Sequence, residues 1–220
     1  MTAQAVAAAA AGIPVARAEL RLYLRHTHQP ATGRPDPTFI PRPQTDGRWV
    51  TEHGTCYVAE TEQTVWAECC RAFAREVAAA DPTGGVGLTA RSFSAYAAEA
   101  VGDPLPGRAL FSVTATVGRL ADLTSPLASA ALARIGLGPT ELLGDDHAPC
   151  QALSQAGEKF GWDAVRAPSA ALRGGVCVAL FHTGIPPAAR WTLERANARP
   201  SVAVAVLTRY RGAERPPWLP

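Results

Sequence analysis

The chain of 220 residues is nearly without lysine: Lys159 is the only one, so all other basic side chains among the 21 Lys+Arg are arginines. Charge as a whole is scarce. Only 18% of residues are charged, the formal net charge is +2, and no block of like charge occurs, which argues against intrinsic disorder and against a dedicated nucleic-acid-binding protein. No apolar run approaches the roughly 20 residues that span a membrane. The alanine-rich first dozen residues lack the basic region of a signal peptide, so cytoplasmic residence is the expectation. The five cysteines are odd in number and form no CxxC repeat, and adjacent Cys69 and Cys70 would lie on different faces of a helix. A disulfide framework is therefore not expected; reduced, small apolar cysteines are. His26-Thr27-His28 is the only close histidine pair and has no second pair at ligand spacing, so no metal site is expected. Walker, GxGxxG, HExxH and GxSxG signatures are all missing. Gly84-Gly85-Val86-Gly87 follows a helical stretch and reads as its terminator.

What is present is a globular composition: 47% hydrophobic residues, mean hydropathy of zero, and enough length for one self-sufficient core. Alanine makes up roughly a fifth of the chain, well above ordinary usage. The arginine-only cationic side reads mostly as coding bias, with a few guanidinium groups left to act as bidentate phosphate clamps.

Residues 1–18 read as a flexible, alanine-rich extension, with the domain running over 19–220. Residues 19–26 alternate, placing Leu20, Leu22 and Leu24 on one face of a half-buried strand. A surface loop rich in proline follows and ends in Asp46-Gly47-Arg48-Trp49. A strand is expected over 55–59 and a helix over 61–80, capped by Thr61 and burying Trp66, Cys69, Cys70, Phe73 and Val77. Further helices are expected over 91–100, 127–135 and 150–160, the last stopped by Gly161. Further strands are expected over 109–117 and 119–123, broken at Gly118, and over 164–166, 176–182 and 201–207. Interspersed elements without a regular βαβ repeat favour one mixed α+β domain.

Three polar residues stand beside apolar elements. Glu68 lies on the second helical turn, at the same end of a strand-turn-helix unit as Tyr57; its alternative role is an exposed pair with Arg71 and Arg75. Ser169 follows Pro168 at a strand end, from which a hydroxyl faces a cleft or caps a turn. Arg48 projects after Gly47 or is simply solvated.

In order, these segments resemble the RES domain family, named for arginine, glutamate and serine. The resemblance runs from Leu20 to Phe181 and rests on LRLYLRH, Gly47-Arg48-Trp49, YVAETEQTVWAE from Tyr57 to Glu68, ADLTSP from Ala121 to Pro126, and GWDAVRAPSA followed by VCVALF. It implies an ADP-ribosyltransferase-like fold with a central split β-sheet flanked by helices. It implies a toxin that cleaves the nicotinamide-ribose bond of NAD+, as a glycohydrolase or with inorganic phosphate as co-substrate, beside an Xre-type helix-turn-helix antitoxin. Alternatives are a protein ADP-ribosyltransferase and an inactive binding module of the same fold. Carried onto this chain, Arg48, Glu68 and Ser169 are the catalytic trio, while Arg25 and Tyr57 are NAD contacts. No metal or resident cofactor is implied, and the oligomeric state is left open. Two departures stand out: Val50 where relatives often have asparagine, and Ala171 where they often have arginine, with Arg173 as a substitute.

The roles follow from the chemistry. Arg48 and Arg25 would hold the diphosphate bidentately, Tyr57 would stack on the flat cationic nicotinamide, and Glu68 would stabilise oxocarbenium character on the ribose. Ser169 would hydrogen-bond the nicotinamide or its ribose.

Overall fold

The structure is a computed structural model and describes residues 2–26, 35–40, 44, 47–69 and 108–198, with the backbone alone at Arg25 and His26. Its elements are α1 (Ala3–Gly12), β1 (Val15–His26), β2 (Thr55–Ala59), a helix α2 over 62–69, β3 (Arg108–Asp122), α3 (Pro126–Ala133), α4 (Pro139–Leu143), α5 (Ala148–Lys159), β4 (Ala164–Pro168), β5 (Val176–Phe181) and β6 (Thr192–Ala198).

The alternation of β1 is realised as read: Leu22 and Leu24 are buried, with Leu20 packed beside them. They meet Phe111, Val113, Ala115 and Val117 of β3, Cys56 and Val58 of β2, and Val178 and Leu180 of β5, each at period two. β1 pairs antiparallel with β3 from Val15↔Ala121 to His26↔Ala109. The remaining order is β1-β2-β5-β4-β3, with β6 also on β3. The sheet thus curls on itself as a barrel-like ring around that apolar interior. Closure is thinnest between β1 and β2, which share the single pair Tyr23↔Ala59. The expected split sheet is replaced by one continuous six-stranded sheet.

The break expected at Gly118 is a bulge instead. Residues 16 to 18 of β1 span residues 120 to 117 of β3, so one extra residue sits in β3 and the strand continues. The inward positions accordingly change parity, from Val117 to Leu120. The amide of Arg119 that the bulge frees donates to Asp163 Oδ2 at 2.9 Å.

A second core lies between the outer face of the ring and the helices. Ala121, Val165, Ala167, Ala179 and Phe181 from the strands meet Leu132, Leu142, Leu143, Cys150, Leu153 and Trp162. The first residues, expected as a flexible extension, belong to this core: Val6 and Ala10 of α1 and Ile13 after it are buried there, and β1 begins at Val15, not at residue 19. The physical reason is the composition itself. Alanine has the highest helix propensity and loses no side-chain entropy, and its small side chain lets α1 pack closely on α5; Thr2 caps it through the amide of Ala5.

α5 ends as its sequence predicts. Gly161 takes φ +76°, its amide donates to the Glu158 carbonyl at 2.9 Å, and the amide of Trp162 donates to Gly157 at 3.0 Å, the paired bonds of a Schellman end. Helix α4 and strand β6 were not anticipated. The expected helix over 91–100, the strand over 201–207 and the distal part of the helix over 61–80 lie outside the described residues. No helix among them is long and apolar enough to cross a membrane.

Candidate functional site

The segment after Gly47 is fixed by three hydrogen bonds. The Trp49 amide donates to Tyr57 Oη at 2.7 Å, Gln151 Nε2 to the Gly47 carbonyl at 2.8 Å, and Ser154 Oγ to the Val50 carbonyl at 2.8 Å. Glycine is required at 47: φ is +133°, and a Cβ there would stand 2.4 Å from Tyr57 Oη. This close approach aims Arg48. Its Nη1 donates to the Leu142 and Gly144 carbonyls at 2.7 and 2.8 Å, at the C-terminal end of α4, where a cation is favoured. Its Nη2 is buried and has no partner among the described residues. Arg48 is therefore neither solvated nor wholly free: half of it braces a helix end, and one donor is left over.

Tyr57 sits in β2 opposite Ala179 of β5 and packs against the helical-side core. Burial pushes its phenol well above the ordinary range, against the opposing pull of the Trp49 amide and the Arg48 charge. It is a neutral aromatic at any ordinary pH.

Glu68 rides on α2. Thr61 caps that helix as expected, accepting from the Thr64 amide at 3.1 Å. Val65, Trp66 and Cys69 bury against Ala59, Leu110 and Ala198. This leaves Glu68 on another side, over the turn between β4 and β5. Its Oε1 accepts from Ser169 Oγ at 2.6 Å, from the Ala171 amide at 3.2 Å and from Cys177 Sγ at 3.5 Å. Its Oε2 has no partner among the described residues. Arg71 and Arg75, the alternative partners, lie outside them.

Ser169 is buried, at 3% exposure, and its hydroxyl is fully used. It gives its proton to Glu68 and accepts from the Ala171 and Leu172 amides at 3.1 and 3.0 Å. A hydroxyl has one donor and two acceptor positions, so Ser169 caps the turn as one of its two expected roles has it, and the same group holds the Glu68 carboxylate.

Glu68 meets the thiol of Cys177 directly. Cys177 has its pKa raised well above the ordinary thiol value, first by burial and then by the Glu68 charge and hydrogen bond, while Ser169 and Arg48 act in the lowering direction. Glu68 and Ser169 thus meet beside Cys177 of β5, while Arg48 precedes the Trp49 amide held by Tyr57 of the paired strand β2. Arg25 is opposite Leu110 in β1, and its side chain lies outside the described residues, as do His28 and Thr27. Among the described residues no cluster of metal-ligating side chains occurs. Ala171 is buried and contributes through its amide, and Arg173 is exposed at the turn. Cys177 was missed in the sequence, since only strand register, which pairs it with Ala59, brings it beneath α2.

A groove of about 500 Å³ lies elsewhere, around Glu60, Asp122 and Arg166. Glu60, Asp122 and Arg166 in its lining satisfy one another. Arg166 Nε meets Glu60 Oε1 at 2.5 Å and its Nη2 meets Glu60 Oε2 at 3.1 Å, while Nη1 reaches Asp122 Oδ2 at 3.0 Å and Thr124 Oγ1 at 2.7 Å.

The fold and the carboxylate site define a mixed α/β domain built on a barrel-like sheet with one polar locus on its helical side. The chain belongs to the RES domain family, whose model matches residues 14–202. Among solved structures it is similar to a chain of the crystal structure of the M. tuberculosis MbcT-MbcA toxin-antitoxin complex, at 19% identity and a TM-score of 0.56, over 95% of this chain and 98% of that one. At that identity the likeness is one of fold. The comparison with curated proteins gives no match.

Proposed function

We propose that this protein is an NAD+-cleaving toxin that breaks the nicotinamide-ribose bond and is paired with an antitoxin. The observation that carries the reading is Glu68: an inward carboxylate held by neutral donors on one oxygen, with the other unpartnered among the described residues. A carboxylate neutralised by a cation would do little for a developing positive charge. One held by neutral donors keeps its charge for the oxocarbenium-like ribose that forms as the C1′–N1 bond breaks and nicotinamide leaves with the electron pair.

Arg48 Nη2 supplies a preplaced donor for the diphosphate, oriented by the α4 carbonyls that hold Nη1. Arg25 is a second candidate for the same group. Tyr57, neutral and fixed through Oη, offers a ring face for the nicotinamide. Ser169 differs from its expected role: with its proton on Glu68 and both acceptor positions filled, it positions the carboxylate and does not touch the substrate. The acceptor is water or inorganic phosphate, and NAD+ is consumed without a resident cofactor. An ADP-ribosyltransferase-like ancestry accords with this chemistry. An antitoxin partner is supported by family membership and by the likeness to a toxin-antitoxin complex; that it is of Xre type is what the family resemblance implies.

Product analysis with NAD+, with and without phosphate, tests the reading. Free nicotinamide with ADP-ribose indicates hydrolysis, and a requirement for phosphate with a phosphorylated sugar product indicates phosphorolysis. Label retained on a protein would replace the reading by ADP-ribosyl transfer. No binding of NAD+ by calorimetry would replace it by the inactive module.

A further inference from the structure

We propose that Cys177 is a positioning residue whose thiol proton joins the Ser169 hydroxyl and the Ala171 amide on Oε1 of Glu68, setting the carboxylate plane and leaving Oε2 for the substrate. The inference rests on the reading of Glu68 as the carboxylate that acts on NAD+. An ionised carboxylate has acceptor sites on both oxygens, and Glu60 uses both with Arg166 in the same molecule. Glu68 does not: three donors from two elements converge on one oxygen.

The thiol is suited to this work and to little else. Half-buried beside a carboxylate, it stays protonated, so it is a donor and not a nucleophile. The other described cysteines are placed differently. Cys56 lies in the ring interior and Cys69 in the apolar contact of α2, while Cys150 points at the Glu141 and Leu142 carbonyls at 3.9 Å. Only Cys177 among them reaches a carboxylate. Its place follows from register: it stands opposite Ala59, which packs under α2 against Val65, Trp66 and Cys69.

Two measurements test the proposal. With NAD+ as substrate, Cys177→Ala should lower kcat for nicotinamide release roughly threefold to tenfold, the range of one hydrogen bond, with KM within about twofold. Cys177→Ser, which keeps a proton donor, should restore kcat to within about twofold of wild type. A merely space-filling cysteine gives the opposite order, with apolar alanine tolerated and buried serine harmful; serine as slow as alanine or slower overturns the proposal. The second readout needs no turnover. The infrared S–H stretching band of Cys177, isolated as the difference between wild type and Cys177→Ala, should lie at low frequency and move upward in a Glu68→Gln background. An unmoved band overturns the pairing. If wild type releases no nicotinamide, the NAD+ reading of Glu68 fails, and the infrared band alone decides whether Cys177 holds Glu68.

Discussion

Glu60 and Glu68 are eight residues apart, one directly after β2 and the other on the helix α2 that follows, and they have opposite surroundings. Glu60 meets the Arg166 guanidinium with both oxygens, and that guanidinium is shared with Asp122. Glu68 meets neutral donors with one oxygen. A bidentate arginine cancels a carboxylate's field and fixes it in place. Hydroxyl, amide and thiol donors fix it while leaving its charge available. The difference separates a carboxylate spent in an ion pair from one whose charge is left available.

Exchanging each glutamate for glutamine should break the comparison most sharply. Glu68→Gln is expected to reduce nicotinamide release by at least about a hundredfold while moving stability by less than about 1 kcal/mol. Glu60→Gln should do the reverse, with turnover within about twofold and a stability loss of about 1 kcal/mol, since the pair is partly exposed. Steady-state kinetics and urea unfolding on both variants read the two effects together. Equal kinetic losses would erase the distinction.

Arg48→Ala removes both the brace on α4 and the free donor. KM for NAD+ should rise by about tenfold to a hundredfold, beyond the smaller change in kcat, with about 1–2 kcal/mol lost in urea unfolding. Arg48→Lys should recover part of the charge but not the fork. A KM unchanged in both variants would detach Arg48 from the substrate and leave it a helix brace.

Gly47→Ala is a smaller, purely steric change. Its Cβ would meet Tyr57 Oη at a left-handed φ, so a loss of about 1–3 kcal/mol is expected by thermal or urea unfolding. Wild-type stability would show that this segment yields.

The smallest effect concerns acid. Burial alone would raise the Asp122 pKa, but the Thr124 hydroxyl and amide and the Arg166 charge outweigh it and hold it below the usual value. A carboxyl lowered in the folded state contributes stability above its unfolded pKa and loses it as pH falls through the folded one. Unfolding measured below about pH 4 should therefore steepen in wild type and flatten in Arg166→Met. Parallel acid limbs would remove Arg166 from that balance.

Period and punctuation were legible in the sequence where local physics decides. The strand at 55–59, the leucine alternation of β1, the cap at Thr61 and the stop at Gly161 depend on neighbours a few residues away. α1 was not legible, because alanine reads as tail or helix until a partner such as α5 is known. Nor was the continuity of β3, since a glycine marks a break or a bulge alike until the register of β1 is set. The site shows the same division. Arg48, Glu68, Ser169 and Tyr57 stood out in sequence, and the structure joins Glu68 to Ser169 and Tyr57 to the segment of Arg48. Which oxygen of Glu68 is tied, the saturation of Ser169 and the arrival of Cys177 all depend on contacts across about a hundred residues of chain, which no local pattern records.

The most direct test of the central claim is nicotinamide release from NAD+ by purified wild type beside a folded Glu68→Gln variant. Release by wild type that falls by at least about a hundredfold in Glu68→Gln, with unfolding unchanged, is the expected result. Equal release by the two would contradict it, and would return Glu68 to a structural role like that of Glu60.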